Sequence, residues 1–303
     1  MRIFITGATG FIGWELTARL RGAGHQVTAW VRNESKARGL LGPEVGLASA
    51  PAGLREAIAK ADAVINLAGE PVSAGRWTAS RKQAIVESRV KLTSAIASAI
   101  AQSRSHPAVF ISASAVGYYG DRGDEIVEDD APPGNDFLAN LCRDWEAAAL
   151  EAAKSGVRVF IPRIGIVLGA DGGALASMVM PFRVGMGGPL GSGRQYVPWI
   201  HLDDQLAVMI AALEDRSMSG PMISAAPNPV TSRDLAKAIG AVLRRGSFMP
   251  VPTIALRVLL GEAAALVLTG QRVRPRRLQQ SGFTWRYPMI AAALTDLLRP
   301  GRK

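Results

Sequence analysis

Near its N-terminus the chain reads Arg2-Ile3-Phe4-Ile5-Thr6-Gly7-Ala8-Thr9-Gly10-Phe11-Ile12-Gly13. An apolar run suited to a buried strand leads into a G-x-x-G-x-x-G turn, and the apolar periodicity of residues 11–20 predicts a helix after it. Glycines here allow the tight turn, a close approach of the backbone to a pyrophosphate, and close packing of the helix on its strand. The N-terminus of the helix favours phosphate binding. The alternative is a glycine-rich turn without a ligand. The motif predicts a dinucleotide site formed by Gly7, Thr9, Gly10, Phe11, Ile12 and Gly13.

The second strand, predicted at residues 26–31, indicates which dinucleotide binds. A site for NAD normally ends this strand with Asp or Glu, which binds the ribose 2′-hydroxyl. Here the next residue is Arg32, and Lys36 and Arg38 follow closely. A guanidinium grips a 2′-phosphate through a planar fork of donors. The sequence therefore favours NADP(H), with a solvated Arg32 at a loop edge as the alternative.

Strand-like and helix-like stretches alternate along the first half of the chain. Further strands are predicted at residues 63–67, 108–113 and 158–163, and helices at residues 54–60, 80–102 and 137–154. This order predicts an α/β fold, namely a Rossmann-type doubly wound parallel sheet with a smaller, mostly helical C-terminal substrate region.

The predicted boundary divides the chain into a dinucleotide-binding domain, residues 1–165, and a substrate-binding region, residues 166–303. The two are interleaved, because strands near residues 196–200 and 222–225 are expected to rejoin the main sheet. Ligands of such sheets bind at the carboxyl ends of the strands. The cofactor contacts expected there are Leu67, Ala68, Gly69 and Arg163.

Composition is typical of a cytoplasmic enzyme. The single cysteine, Cys142, fits a reducing compartment, and Met1-Arg2 leads directly into a strand without a signal peptide. The longest apolar stretch, residues 254–269, is too short to span a bilayer and is interrupted by Arg257 and Glu262. It is interpreted as a buried or partner-facing helix, and no membrane partner is expected.

The net charge of +10 does not indicate nucleic-acid binding, because the basic residues are scattered and lack an interleaved aromatic motif. An anionic cofactor and a small-molecule substrate explain the charge more simply. Three His and one Cys far apart in sequence make a metal site unexpected. The sequence leaves open whether the protein forms a homodimer.

Several motifs together resemble an extended short-chain dehydrogenase/reductase. They are TGATGFIG, NLAGEPV (residues 66–72), SASAVGYYG (112–120), WIHLDD (199–204), RIGIVLG (163–169) and the long run from Gly172 to Gln195. The resemblance is strongest to the epimerase-like branch, described as nucleoside-diphosphate-sugar epimerases, and the chain from about Pro250 is similar to that branch's C-terminal domain of unknown function. It implies that Arg89, in the pair Ser88-Arg89, contacts the cofactor, with a surface ion pair between Arg89 and Glu87 as the alternative.

The resemblance also exposes a departure at the catalytic helix. Extended dehydrogenases use Y-x-x-x-K, in which Tyr is the acid/base and Lys lowers its pKa. With Glu146 as the register mark, these positions hold Leu138 and Cys142, and neither replaces a Tyr–Lys pair at neutral pH.

Substitutes for the missing pair are expected in the turn after the fifth predicted strand. Ser114 lies where the family carries a Ser or Thr that contacts substrate, and Tyr118 or Tyr119 can serve as the acid/base. The sequence does not say which Tyr faces the cofactor. The alternative is that one Tyr packs in the core and the other only lines the cleft.

Beyond the sheet, a glycine-rich loop at residues 187–193 ends in Arg194 and Gln195, which are predicted to bind a substrate phosphate or carboxylate. His201 is a further substrate-binding candidate, although a structural His held by Asp203 is the favoured interpretation. The predicted function is an NADP(H)-binding, epimerase-like oxidoreductase acting on a small polar, perhaps nucleotide-linked, substrate. The alternative is an NADP(H)-sensing regulator without turnover, which the missing Tyr–Lys pair favours.

Overall fold

The computed structural model describes residues 1–298 of the chain. Its first half alternates strands and helices up to the strand that ends at Ile164. The elements are β1 (Arg2–Thr6), α1 (Phe11–Gly22), β2 (Gln26–Trp30), α2 (Glu34–Leu41), β3 (Gly46–Ala48), α3 (Ala50–Ala59), β4 (Ala63–Asn66), α4 (Ala79–Gln102), β5 (Val109–Ser112), β6 (Ser114–Ala115), β7 (Ile126–Val127), α5 (Phe137–Leu150) and β8 (Arg158–Ile164). Short 3₁₀ turns lie at Val116–Tyr119 and Glu151–Ser155.

The second half is more irregular and contains short strands between helices. Its elements are β9 (Ile166–Gly169), β10 (Gly172–Gly173), α6 (Ala174–Arg183), β11 (Tyr196–Val197), β12 (Trp199–His201), α7 (Leu202–Glu214), β13 (Gly220–Ser224), β14 (Val230–Thr231), α8 (Ser232–Leu243), α9 (Thr253–Leu260), α10 (Ala265–Leu268), β15 (Arg272–Val273), α11 (Arg276–Gln280) and α12 (Ile290–Leu298). A 3₁₀ turn at Gly261–Ala264 joins α9 to α10.

The main sheet is parallel, with the strand order β13-β8-β5-β4-β1-β2-β3, and β6 adds to β8. The order reverses direction between β1 and β4, which is the topological switch point where this kind of sheet binds its ligand. The predicted doubly wound Rossmann-type fold is therefore confirmed.

Helices cover both faces of this sheet because alternate strand residues point to opposite sides. Ile3 and Ile5 of β1 pack with Leu16 of α1 in one apolar cluster. Phe4 points the other way and packs with Ile58 of α3. The glycine turn after β1 is thus fixed between two packed layers.

One expectation about the main sheet needs correction, and two elements were missed. The strand near residues 196–200 does not rejoin the main sheet, since β11 pairs with β14 and β12 pairs with β9. By contrast, β13 lies at the edge of the main sheet beside β8. The elements α2 and β3 were not predicted at all.

The apolar stretch at residues 254–269 is not one buried helix. It is divided into α9, the 3₁₀ turn and α10, and the side chain of Ile254 is 76% exposed. No helix within residues 1–298 is long and apolar enough to cross a membrane.

Candidate functional site

The turn between β1 and α1 is shaped by two glycines that no other residue can replace without strain. Gly7 has φ of +75°, and a Cβ built on it would lie 2.6 Å from the Leu67 carbonyl carbon. A Cβ on Gly13 would lie 2.1 Å from the Gly7 carbonyl oxygen. The helix begins at Phe11, and its N-cap Gly10 provides no side-chain acceptor. A cradle with this shape and with N–H groups of the first helical turn suits a pyrophosphate.

The other predicted residues of the turn contribute in different ways. Thr9 is exposed and Ile12 is half-buried. The Phe11 ring is packed so closely on the β9–β10 hairpin that Cβ atoms built on Gly169 and Gly173 would lie 2.5 and 2.7 Å from it. The Phe11 side chain therefore fixes the turn to the second half of the chain, and only its backbone is available to a phosphate.

Arg32 extends from the carboxyl end of β2, and its side chain is 83% exposed. Its Nη1 donates a hydrogen bond to Glu70 Oε1 at 3.1 Å. Glu70 also forms an ion pair with Arg81, at 3.6 Å. The guanidinium thus stands at the edge of the predicted ribose site with most of its donors facing solvent.

The loop after β4 meets the glycine turn at the switch point. Leu67 donates its backbone N–H to the Thr6 carbonyl at 3.1 Å, and Ala68 and Gly69 follow it towards solvent. A Cβ on Gly69 would lie 2.8 Å from Arg89 Cζ. Leu67, Ala68, Gly69 and Arg89 are therefore neighbours of the turn.

Arg89 reaches this loop from the middle of α4. Its guanidinium donates to the Ile85 carbonyl at 3.2 Å and lies 5.2 Å from the centre of the Trp145 ring. Burial lowers the pKa of Arg89, although the carboxylate of Glu70 opposes that shift. A half-buried cation with few partners is well placed to bind an anionic or hydroxyl group of a cofactor.

Arg163 does not fit the predicted cofactor contact. It is 4% exposed, and its Nε and Nη2 donate to the two carboxylate oxygens of Glu146 at 2.9 and 2.8 Å. Its Nη1 donates to the Tyr119 hydroxyl and the Asp129 carbonyl. Burial alone would lower the pKa of Arg163, but Glu146 raises it overall. The guanidinium is fully engaged in a buried network, so it supports the cleft from beneath.

Ser114 and Tyr119 belong to the same network. Ser114 Oγ donates to Glu146 Oε1 at 2.6 Å and is 3% exposed. Tyr119 is fully buried, its hydroxyl donates to the Asp129 carbonyl at 3.2 Å, and burial raises its pKa. Tyr119 therefore does not fit the role of acid/base. Ser114 lies under the cleft with its proton directed at Glu146.

Tyr118 differs from its neighbour. Its ring centroid lies 3.5 Å from Arg163 Cζ, and the side chain is half-buried. Within residues 1–298, no protein group forms a hydrogen bond with its hydroxyl. Of the three predicted proton-transfer groups, Tyr118 alone among the described residues has a hydroxyl available to a substrate.

A polar group beneath the switch point was missed by sequence reasoning. Asn66 accepts from Thr6 Oγ1 at 2.6 Å and donates to Thr93 Oγ1 at 2.8 Å, and Trp145 Nε1 also donates to Thr93. These side chains tie β1, β4, α4 and α5 together where the site is formed. An Asn at the end of an otherwise apolar strand was the available signal.

The predicted substrate residues of the glycine-rich loop separate into two kinds. Arg194 is exposed, and its backbone N–H donates to Ser192 Oγ. Gln195 Nε2 donates to the carbonyls of Leu190 and Val267 at 3.0 and 2.7 Å. Gln195 therefore fastens the loop to α10, which leaves Arg194 as the loop's candidate for binding an anion.

His201 is buried, and its ring is held by contacts on both sides. It is 1% exposed, its Nδ1 accepts from the Asp203 N–H at 3.0 Å, and its ring stacks on Tyr287. Its Nε2 lies 3.3 Å from Asp296 Oδ2 of α12. Burial lowers the pKa of His201 against the opposing carboxylates of Asp203, Asp296 and Asp204.

Comparison with known proteins identifies the family. A sequence profile described as the NAD dependent epimerase/dehydratase family matches residues 3–224. The chain belongs to this family. A second profile, a domain of unknown function named DUF1731, matches residues 251–297. The resemblance drawn from the sequence motifs is thereby confirmed in both of its parts.

Members of this epimerase family match almost the whole chain. The chloroplastic homolog of epimerase family protein SDR39U1 from Arabidopsis thaliana is 42% identical over 99% of this chain and 87% of its own length. The structure of human epimerase family protein SDR39U1 (isoform 2) with NADPH superimposes with a TM-score of 0.88, at 34% identity over 98% of this chain and 99% of the human one. A nucleoside-diphosphate sugar epimerase from Corynebacterium glutamicum is 36% identical over 98% of this chain and 58% of its own, with a TM-score of 0.79.

Against this family background, the catalytic helix is apolar where a Tyr–Lys pair is expected. Leu138 is half-buried in a cluster with Leu141 and Trp77. Cys142 is 3% exposed, and burial raises its pKa to about 12. Its thiol therefore stays protonated at neutral pH and does not act as a base.

Proposed function

We propose that this chain is an NADP(H)-dependent, epimerase-like oxidoreductase that acts on a small polar substrate, with Tyr118 as the proton-transfer group. The observation that carries the proposal is the Tyr118 hydroxyl, which is available at the carboxyl end of the main sheet while Ser114 and Tyr119 are engaged in the Glu146–Arg163 network.

The proposed cofactor is NADP(H) because residues of the site match its phosphate groups. The Gly7–Gly13 turn offers a cradle for the pyrophosphate, and Arg32 offers an exposed guanidinium for a 2′-phosphate. The human relative, solved with NADPH, supports the same choice. Arg89, at the loop of Gly69, would contact the cofactor between these two points and the reacting end.

When bound, NADPH supplies a hydride to a carbonyl group of the substrate. The reduction also needs a proton on the substrate oxygen, and we assign its delivery to the Tyr118 hydroxyl. Arg163 holds the Tyr118 ring from below, and Glu146 in turn holds Arg163. The exposed Arg194 would bind a phosphate or carboxylate of the substrate, which is consistent with a nucleotide-linked sugar.

A second candidate function is supported by Leu138 and Cys142. A helix that packs apolar side chains at the Tyr and Lys positions fits a protein that binds NADP(H) and signals its presence through a partner without turnover. A regulator of this kind requires the cofactor cradle but does not require the Tyr118 hydroxyl.

An isotope-transfer experiment distinguishes the oxidoreductase from the regulator. The protein would be incubated with NADPH carrying two deuterium atoms at C4 and with a panel of nucleotide sugars and small carbonyl compounds, and mass spectrometry would detect deuterated product. Tyr118→Phe should lower the rate of transfer by about 10²–10⁴-fold, while Tyr119→Phe, if it folds, should retain most of it. Tight NADPH binding without transfer to any compound would favour the regulator.

The proposal also covers the localisation and the oligomeric state of the protein. We place the protein in the cytoplasm, in keeping with its single, buried cysteine. A homodimer is the assembly to test first, by light scattering of the purified protein.

A further inference from the structure

Two segments of the second half, residues 172–202 and 235–261, contain no Asp or Glu. They carry six Lys and Arg residues, all exposed, namely Arg183, Arg194, Lys237, Arg244, Arg245 and Arg257. Within residues 1–298, none of the six forms an ion pair. These six side chains are therefore available to an anionic partner.

The two segments form one surface because their loops are joined by backbone hydrogen bonds. Met249 N donates to the Gly187 carbonyl at 3.1 Å, and Val251 N donates to the Pro189 carbonyl at 3.0 Å. We call the exposed residues of α6, α9 and these loops, from 180 to 186 and from 244 to 259, the cationic apolar surface.

The same surface concentrates exposed apolar side chains. Among the described residues, fourteen large hydrophobic side chains are exposed, and eight of them lie here: Met180, Val184, Met186, Phe248, Met249, Ile254, Val258 and Leu259. Phe248 is 75% and Ile254 76% exposed, which is unusual for side chains of this size. Clustered exposure of this kind marks an interaction site.

Helix α9 shows how the two properties combine. Ile254, Arg257 and Val258 stand at positions i, i+3 and i+4, so a cation and two exposed apolar side chains share one helix face. An anionic partner that also offers an apolar interior matches this face.

We infer that the cationic apolar surface docks on an anionic lipid bilayer. Apolar side chains of such a surface enter the boundary of headgroups and acyl chains, while unpaired arginines meet lipid phosphates and carboxylates. A second copy of the chain fits less well, since an isologous dimer through this surface would oppose cations to cations. The inference replaces the expectation, drawn from the sequence, that a membrane is not a partner.

Vesicle sedimentation tests the inference with the full-length protein. Phosphatidylcholine vesicles with and without 30% phosphatidylserine would be used at low and at physiological salt. The protein should bind the anionic vesicles selectively, and salt should weaken the binding. Equal binding to both vesicles, or no binding to the anionic ones, would overturn the inference.

Matched variants locate the contact. Arg245→Glu/Arg257→Glu should weaken the partition coefficient at least about 25-fold, since each basic residue near such a surface contributes about fivefold. Ile254→Ser/Val258→Ser should also weaken it. The controls are Lys60→Glu/Arg104→Glu and Leu40→Ser/Leu150→Ser, which change exposed residues elsewhere and should bind like the wild type.

Two further readouts keep the outcomes distinct. NADPH affinity and thermal unfolding verify that each variant is folded, and they report on the proposed function independently of the vesicles. If surface variants bind vesicles like the wild type, or change only the oligomeric state in light scattering, the occupant is not a bilayer and the inference fails.

Discussion

The ring centroid of Tyr118 lies 3.5 Å from the guanidinium carbon of Arg163. The same guanidinium is held by both carboxylate oxygens of Glu146, so a buried ion pair forms the floor beneath the candidate proton donor. Removing one partner of a buried pair leaves an uncompensated buried charge and strongly destabilises the fold. The site is therefore built in two levels, with Tyr118 above and the Glu146–Arg163 network below.

Two glycines of α1 provide a matched test of the cofactor cradle. Gly13→Ala places a Cβ 2.1 Å from the Gly7 carbonyl oxygen, so the turn must shift, and NADPH affinity should fall by at least about tenfold. The new Cβ of Gly22→Ala, on the same helix, would meet no atom of residues 1–298 within 4 Å, and the variant should raise the free energy of unfolding by up to about 1 kcal/mol. Cofactor titration and urea unfolding measure both. Unchanged NADPH affinity in Gly13→Ala would show that the turn does not approach the phosphates.

The Cys142 thiol should be inert in the folded protein. Its pKa of about 12 leaves almost no thiolate at pH 7.5, and the side chain is 3% exposed. A thiol reagent such as DTNB should react slowly with native protein and at once in urea. Cys142→Ala should keep NADPH affinity and any hydride transfer within about twofold, because a buried thiol behaves as a small apolar group. Rapid labelling of the native protein, or loss of transfer in a folded variant, would give the thiol a chemical role.

His201 should make stability depend on pH below neutrality. Burial lowers its pKa in the folded state, so below the unfolded value of about 6.5 the unfolded chain binds a proton that the folded chain does not. The free energy of unfolding should therefore decrease as pH falls from 6.5 towards the lowered folded pKa.

His201→Asn is the variant for this test, because Asn also caps a helix but does not titrate. Urea unfolding would be measured at pH 7.5 and 5.5, and only the difference between the two pH values is compared, since the variant also loses the stacking on Tyr287. The wild type should lose more stability than the variant over this interval. An equal loss would mean that other groups carry the pH dependence.

The main sheet could be predicted because its signals are local. The run Arg2–Thr6, the glycines after it and the apolar segments at regular intervals each define a strand or helix without reference to the rest of the chain. The element α2 also carried a local signal, since Asn33 accepts a hydrogen bond from Lys36 N at its N-cap, but charged residues interrupt its apolar face. The strand β3 has only three residues and exists because it pairs with β2.

The position of a polar side chain in the fold was easier to predict than its hydrogen-bond partners and its role. Arg163 was correctly expected at the carboxyl end of a strand, but its partner Glu146 lies on α5 and Tyr119 lies 44 residues away. Which of Tyr118 and Tyr119 faces the cleft depends on the rotation of a 3₁₀ turn at Val116–Tyr119. Short strands such as β11 and β12 likewise reveal their partners only in three dimensions.

Binding of NADP(H) at the carboxyl edge of the main sheet through Arg32 can be measured by paired titrations. NADPH and NADH would be titrated into the wild type, Arg32→Ala and the control Arg104→Ala, which changes an exposed arginine far from the turn in sequence. The wild type should prefer NADPH, and Arg32→Ala should weaken NADPH binding by about 10- to 150-fold, equivalent to about 1.5–3 kcal/mol, with NADH binding unchanged. An equal loss for both cofactors, or no loss for NADPH, would contradict this role of Arg32.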